Sequence, residues 1–86
     1  MRLIGRERLW PLMAKSEQMQ RWVRSWASEV QDAHWKGHAD VLAQFPRAQC
    51  TPSGSARFPL PTDDHAGISV CLAFAQGVAL IFAVEI

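Results

Sequence analysis

Few side chains in this 86-residue chain are of a kind that does chemistry, and they lie apart. His65 follows Asp63 and Asp64, which sets an imidazole beside two carboxylates in a polar stretch and makes it a candidate general base. Arg57 heads the short apolar run to Leu60 and offers a guanidinium that can contact a phosphate. The plainer readings are a solvated turn for the first and an exposed strand arginine for the second. Cys50 and Cys71 stand 21 positions apart, with no CxxC spacing and no His or Lys close by to activate a thiol. That argues against a zinc site, a redox pair or a nucleophile. His34 and His38 are four apart, a metal-sharing distance on a helix, but Gly37 interrupts them and no carboxylate–histidine motif surrounds them.

Length and charge narrow the classes that these residues can serve. At 86 residues, 49% hydrophobic and 20% charged, the chain makes one small domain with one modest core, residues 1–86, and a multidomain enzyme is excluded. The net charge of +1 names no partner. Its distribution is uneven: residues 1–47 hold eight basic and five acidic side chains, residues 48–86 one and three, so a polyanion would meet the first half. The N-terminus carries Arg2, Arg6, Glu7 and Arg8 and lacks the apolar stretch of a secretory signal. With unpaired cysteines as well, the expected location is the cytoplasm.

The elements that must position these side chains follow from spacing. Residues 1–4 suit a short strand ended by Gly5, and Arg6 to Ala14 suit a helix that Pro11 forces to start late, bend or fray. Met19, Trp22, Val23, Trp26, Ala27, Val30 and Ala33 recur on one face of a Glu17–Ala33 helix. Ser16 is placed to cap it, and Arg21, Arg24, Ser28 and Gln31 fall on the wet side. Trp22 and Trp26 are therefore expected in the core. A shorter helix from His38 to Phe45 ends at Pro46. Arg47 to Ala56 reads as a turn-rich connection or hairpin tip, and Pro59 and Pro61 restrict the Arg57–Leu60 strand to an edge or a broken strand. Residues 66–84 contain no charge, which is long enough for a membrane helix, yet Ala75-Gln76-Gly77 divides them into two strand-length pieces. The prediction is an α+β domain with helices on one face of a small antiparallel sheet.

The ordered series Met1-Arg2-Leu3-Ile4, Leu9-Trp10, Trp26, Ala33-His34-Trp35-Lys36, Ala39-Asp40-Val41 and Gln44-Phe45-Pro46 resembles the HigB-like toxins of the RelE superfamily, from bacterial type II toxin–antitoxin pairs. Arg57-Phe58, and Ala73-Phe74 through Gly77-Val78 to Ile81 and Val84, extend the likeness over nearly the whole chain. The resemblance implies a RelE-like fold and a ribosome-dependent endoribonuclease, an mRNA interferase, which cuts messenger RNA in the A site and is held inactive by an adjacently encoded antitoxin. Such cleavage proceeds without metal or cofactor and needs a base near the 2′-hydroxyl, cations for the phosphorane and an acid for the leaving oxygen. On this reading His65 and Arg57 are the catalytic candidates, and Arg47 and Lys36 contact ribosomal RNA.

The chain departs from the family pattern in three places. Ala66-Gly67 stands where the family has an aromatic residue and an arginine, and Pro59-Leu60-Pro61 interrupts the central strand. The sequence also ends at Glu85-Ile86, where relatives continue into a catalytic segment with His, Tyr and Asp. The expectation is a C-terminally shortened toxin whose cleavage activity is in question. Two alternatives stay open: a non-catalytic protein that pairs with an antitoxin, and a small protein anchored in a membrane through residues 66–84.

Overall fold

The computed structural model describes residues 1–61 and 65–85. Strand β1 (Arg2–Ile4) leads through a 3-10 turn (Arg6–Leu9) into helix α1 (Trp10–Met13), followed by α2 (Glu17–Asp32) and α3 (His38–Gln44). Four strands follow: β2 (Gln49–Cys50), β3 (Ser55–Pro59), β4 (Gly67–Ala73) and β5 (Val78–Glu85). Pro11 causes no kink because it occupies the first turn of α1, where its missing N–H has no intrahelical acceptor to serve. At the start of α2 the Ser16 hydroxyl accepts from the Met19 amide at 3.0 Å, as its capping position requires.

The sheet runs β1-β5-β4-β3-β2 and is mixed, not antiparallel as expected. β1 lies parallel to β5, with Arg2 opposite Val78 and Ile4 opposite Leu80, while the other neighbours are antiparallel. The long passage through the helices and three intervening strands separates β1 from β5 in sequence, so a tight turn does not dictate their direction. Gly5 makes the exit from β1: its φ is +90°, and a Cβ there would sit 2.7 Å from the Ile81 carbonyl oxygen.

β3 is an interior strand where β2 pairs with Ala56 and Arg57, which corrects the expectation of an edge or broken strand for that part, and it is an edge at Pro59. Pro59 is tolerated because β2 pairs only as far as Gln49 with Arg57, so the neighbour has already ended. The next residue, Leu60, donates its amide to the Ala66 carbonyl at 3.0 Å on the β4 side. The charge-free 66–84 stretch forms the β4–β5 hairpin, with Gly77 at φ +68° in its turn. The membrane-helix alternative is thereby overturned: among the described residues no helix is long and apolar enough to cross a membrane.

Helices cover one face of the sheet. Met19, Val23, Trp26, Ala27 and Val30 of α2 and Val41 of α3 meet Ala56, Phe58, Ile68, Val70, Leu72, Ala79 and Ile81 of the strands. Phe58 is the centre of an aromatic cluster, with the rings of Trp26 at 5.3 Å, Phe45 at 5.2 Å and Trp35 at 6.4 Å. Three segments thus dock on one strand residue, and each such pair adds about 0.5–1.5 kcal/mol beyond its buried area. Trp35 completes its polar valence by donating Nε1–H to the Gln44 side-chain oxygen at 3.0 Å. Trp22 departs from the core expectation, since it is only half-buried at the edge of this layer.

Candidate functional site

Among the described residues no helix covers the opposite face of the sheet, and period-two alternation decides what it displays. Two cross-strand rows can be followed through the register. One joins Gln49, Arg57, Ser69 and Ala83, and the next joins Ser55, Cys71, Leu80 and Ile4. Between them β5 carries a bulge: Ser69 pairs with Ala83 but Val70 with Ile81, which leaves Phe82 as the extra residue. Phe82 points outward with Leu80, two residues before it, at 48% and 42% exposure respectively, and the bulge turns Ala83 to the same face. A shallow depression of about 240 Å³ lies here, bounded by Gln49, Thr51, Ser55, Arg57, Ser69 and Phe82.

Arg57 dominates this surface. Its Nε donates to Glu85 Oε1 at 2.9 Å, an ion pair that joins β3 to β5 across the intervening strand. The crossing is possible because β4 contributes Gly67, which is paired with Pro59 on one side and Glu85 on the other. A Cβ on Gly67 would lie 3.0 Å from the Arg57 Cζ and 3.0 Å from the Phe58 carbonyl oxygen, so the guanidinium lies over the place where a side chain would stand. The arginine side chain is 21% exposed and its carboxylate partner 54%. At the far end of the depression the hydroxyls are engaged with one another, Thr51 Oγ1 lying 2.8 Å from Ser53 Oγ and 2.7 Å from Ser55 Oγ.

The other three predicted residues are distributed over the molecule. His65 is exposed in the turn that enters β4, two residues before Gly67, and therefore belongs to the same end of the sheet as the Arg57–Glu85 pair. The flanking Asp63 and Asp64 lie outside the described residues. Arg47 follows Pro46 and lines a separate cleft of about 210 Å³ with Trp22, Trp26, Glu29, Phe58 and Pro61, beside α2. Lys36 is exposed in the α2–α3 link, where its backbone amide donates to Asp40 Oδ2 at 2.8 Å and fastens the link to α3. Arg57 and Arg47 thus line different depressions.

The two cysteines are on different faces. Cys71 is exposed on the open face, whereas Cys50 is half-buried opposite Ala56, and burial pushes its thiol above the ordinary value. Among the described residues two buried ring nitrogens have no hydrogen-bond partner, Trp26 Nε1 and His38 Nε2, the latter on a ring packed edge-on to Phe74 at 5.3 Å.

Sequence reasoning missed Phe82 and Glu85. For Phe82 the available trace was its two-residue spacing from Leu80, with Ile81 between them turned inward. Glu85 did carry a signal, because it is the first charge after the charge-free 66–84 run and a charge in that setting invites a partner. No protein-family model matches this sequence, and no curated protein matches it significantly.

Proposed function

We propose that this chain is a toxin component of a type II toxin–antitoxin pair, of the HigB-like kind, and that its open sheet face engages messenger RNA. The observation that carries the reading is the Arg57 guanidinium lying over Gly67. The resemblance calls for a cation at the start of the penultimate strand, where this sequence has glycine. A β3 arginine occupies that place on the sheet instead. Beside it Phe82 supplies an aromatic face for a base, and Ser69 and Gln49 supply polar groups for a sugar or base edge.

In this reading Arg57 stabilises charge on the phosphorane, and His65, from the turn at the same end, takes the proton of the attacking 2′-hydroxyl. Arg47 and Lys36 serve as peripheral contacts to ribosomal RNA. The antitoxin is the partner that holds the protein inactive. The test is expression with and without the neighbouring gene product while growth and transcript integrity are followed. Arrested growth with cleaved transcripts, relieved by the neighbour, is the expected result; unimpaired growth with intact transcripts removes the enzymatic claim.

A second reading has its own support. Ile4, Leu80 and Phe82 are large apolar side chains exposed on the same open face, and apolar exposure of that kind suits a protein partner. A non-catalytic protein that docks an antitoxin there would form a stable complex with the co-encoded protein and leave RNA intact.

A further inference from the structure

The ion pair on the open face spans three strands, from Arg57 of β3 to Glu85 of β5. Arg57 reaches Glu85 by lying across Gly67, so three strands bring this guanidinium and this carboxylate together. The pair contributes little to the fold: Glu85 is 54% exposed, and exposed pairs are weak because water competes and the side chains lose freedom. Gly67 is also an unfavourable residue for a strand, having no side chain to pack and a large entropy loss. The Phe58 carbonyl oxygen by itself crowds a side chain at position 67, so the glycine serves the backbone as well as the pair; the pair adds little stability and is better explained by what it does.

We infer that Arg57 over Gly67 forms a phosphodiester seat for single-stranded RNA, and that Glu85 is an internal occupant of it, which an RNA phosphate must displace. The inference rests on the RNA-binding reading above and adds to it a regulator of the same site. The chemistry matches, because a carboxylate and a phosphate present similar oxygens to a guanidinium and compete for the same donors. Displacement is inexpensive, since the released carboxylate is already more than half in water. Phe82, on the rim of the same depression, gives the adjoining base a surface on which to stack. Glu85 therefore lowers affinity for RNA in the resting protein and leaves the seat on engagement.

Binding of a fluorescent single-stranded oligouridylate, followed by anisotropy at low salt, tests this. Glu85→Gln binds about fivefold more tightly than the parent chain, the factor that loss of a weak surface pair allows. Glu85→Asp, one methylene shorter, gains less. The double variant Arg57→Gln/Glu85→Gln binds no better than Arg57→Gln alone, and Glu17→Gln, which removes an equal charge from the exposed start of α2, gains nothing. Tightening of equal size in the Glu17→Gln variant or on the Arg57→Gln background overturns the seat, and so does unchanged binding in both Glu85 variants. If Arg57→Gln still weakens the parent chain in those cases, the RNA-binding reading survives its regulator. If the parent chain and the Glu85 variants all fail to bind, both fall together.

Discussion

The same three strands, β3, β4 and β5, build two surfaces of opposite character. On the covered face Phe58, Ile68, Val70 and Ile81 are each 3% exposed or less, and aromatic rings from three other segments close over Phe58. On the open face the alternate residues are Ser55, Arg57, Ser69, Cys71, Leu80 and Phe82, a mixture with no packing logic of its own. Alternation allows one stretch of sequence to answer two demands, stability on one side and, on the proposed reading, RNA recognition on the other. The covered face tolerates no cavity. The open face can change its charge at small cost to the fold, and experiments on the two faces should separate cleanly.

The largest effect is expected from the covered face. Trp26→Ala removes the ring that spans α2 and Phe58 and should cost about 3–5 kcal/mol in denaturant unfolding, enough to unfold a domain of this size. Gly5→Ala comes next. Its φ of +90° and the approach of the Ile81 oxygen leave no room for a methyl, so about 1–3 kcal/mol should be lost by the same measurement. Ser16→Ala should cost about 1 kcal/mol through the loss of the α2 cap.

The open face should respond in the reverse sense, with small changes in stability and large ones in function. Arg57→Gln should move the unfolding free energy by about 1 kcal/mol or less while it weakens oligoribonucleotide binding, and a matched loss of stability would merge the two faces into one. The smallest effect concerns the thiols. Because burial raises the Cys50 thiol, less of it is thiolate near pH 8, and Cys71 should be alkylated first, a difference that mass spectrometry resolves. Any contribution of Cys50 to stability has a defined sign. Its folded thiol holds its proton more tightly than the unfolded one, so stability falls as pH rises above the unfolded thiol's titration.

Much of the covered face was legible in the sequence, because helical periodicity and capping are local. Ser16, the apolar stripe from Met19 to Val30 and the Ala75-Gln76-Gly77 break each act within a few residues, and α2 and the β4–β5 hairpin follow them closely. The order and sense of the strands depend on partners far along the chain. For that reason the parallel β1 and the interior position of β3 ran against expectation. The candidate site was legible only in its first member. Arg57 was identified from its own chemistry, but Glu85 is 28 residues away, and the two meet only through a register in which Gly67 stands opposite both Pro59 and Glu85. Gly67 itself looked like a missing cation until the neighbouring strand was in place.

We propose that messenger RNA is held on the open face around Arg57, and not on the α2 face that carries Arg21 and Arg24. Nuclear magnetic resonance with isotope-labelled protein tests it directly as a short single-stranded oligoribonucleotide is added. The predicted result is a set of shifts concentrated on the Arg57 Nε–H and on Ser69, Phe82 and Glu85, with Arg21 and Arg24 of α2 unmoved. Shifts centred on α2, or none at saturating oligoribonucleotide, would contradict it.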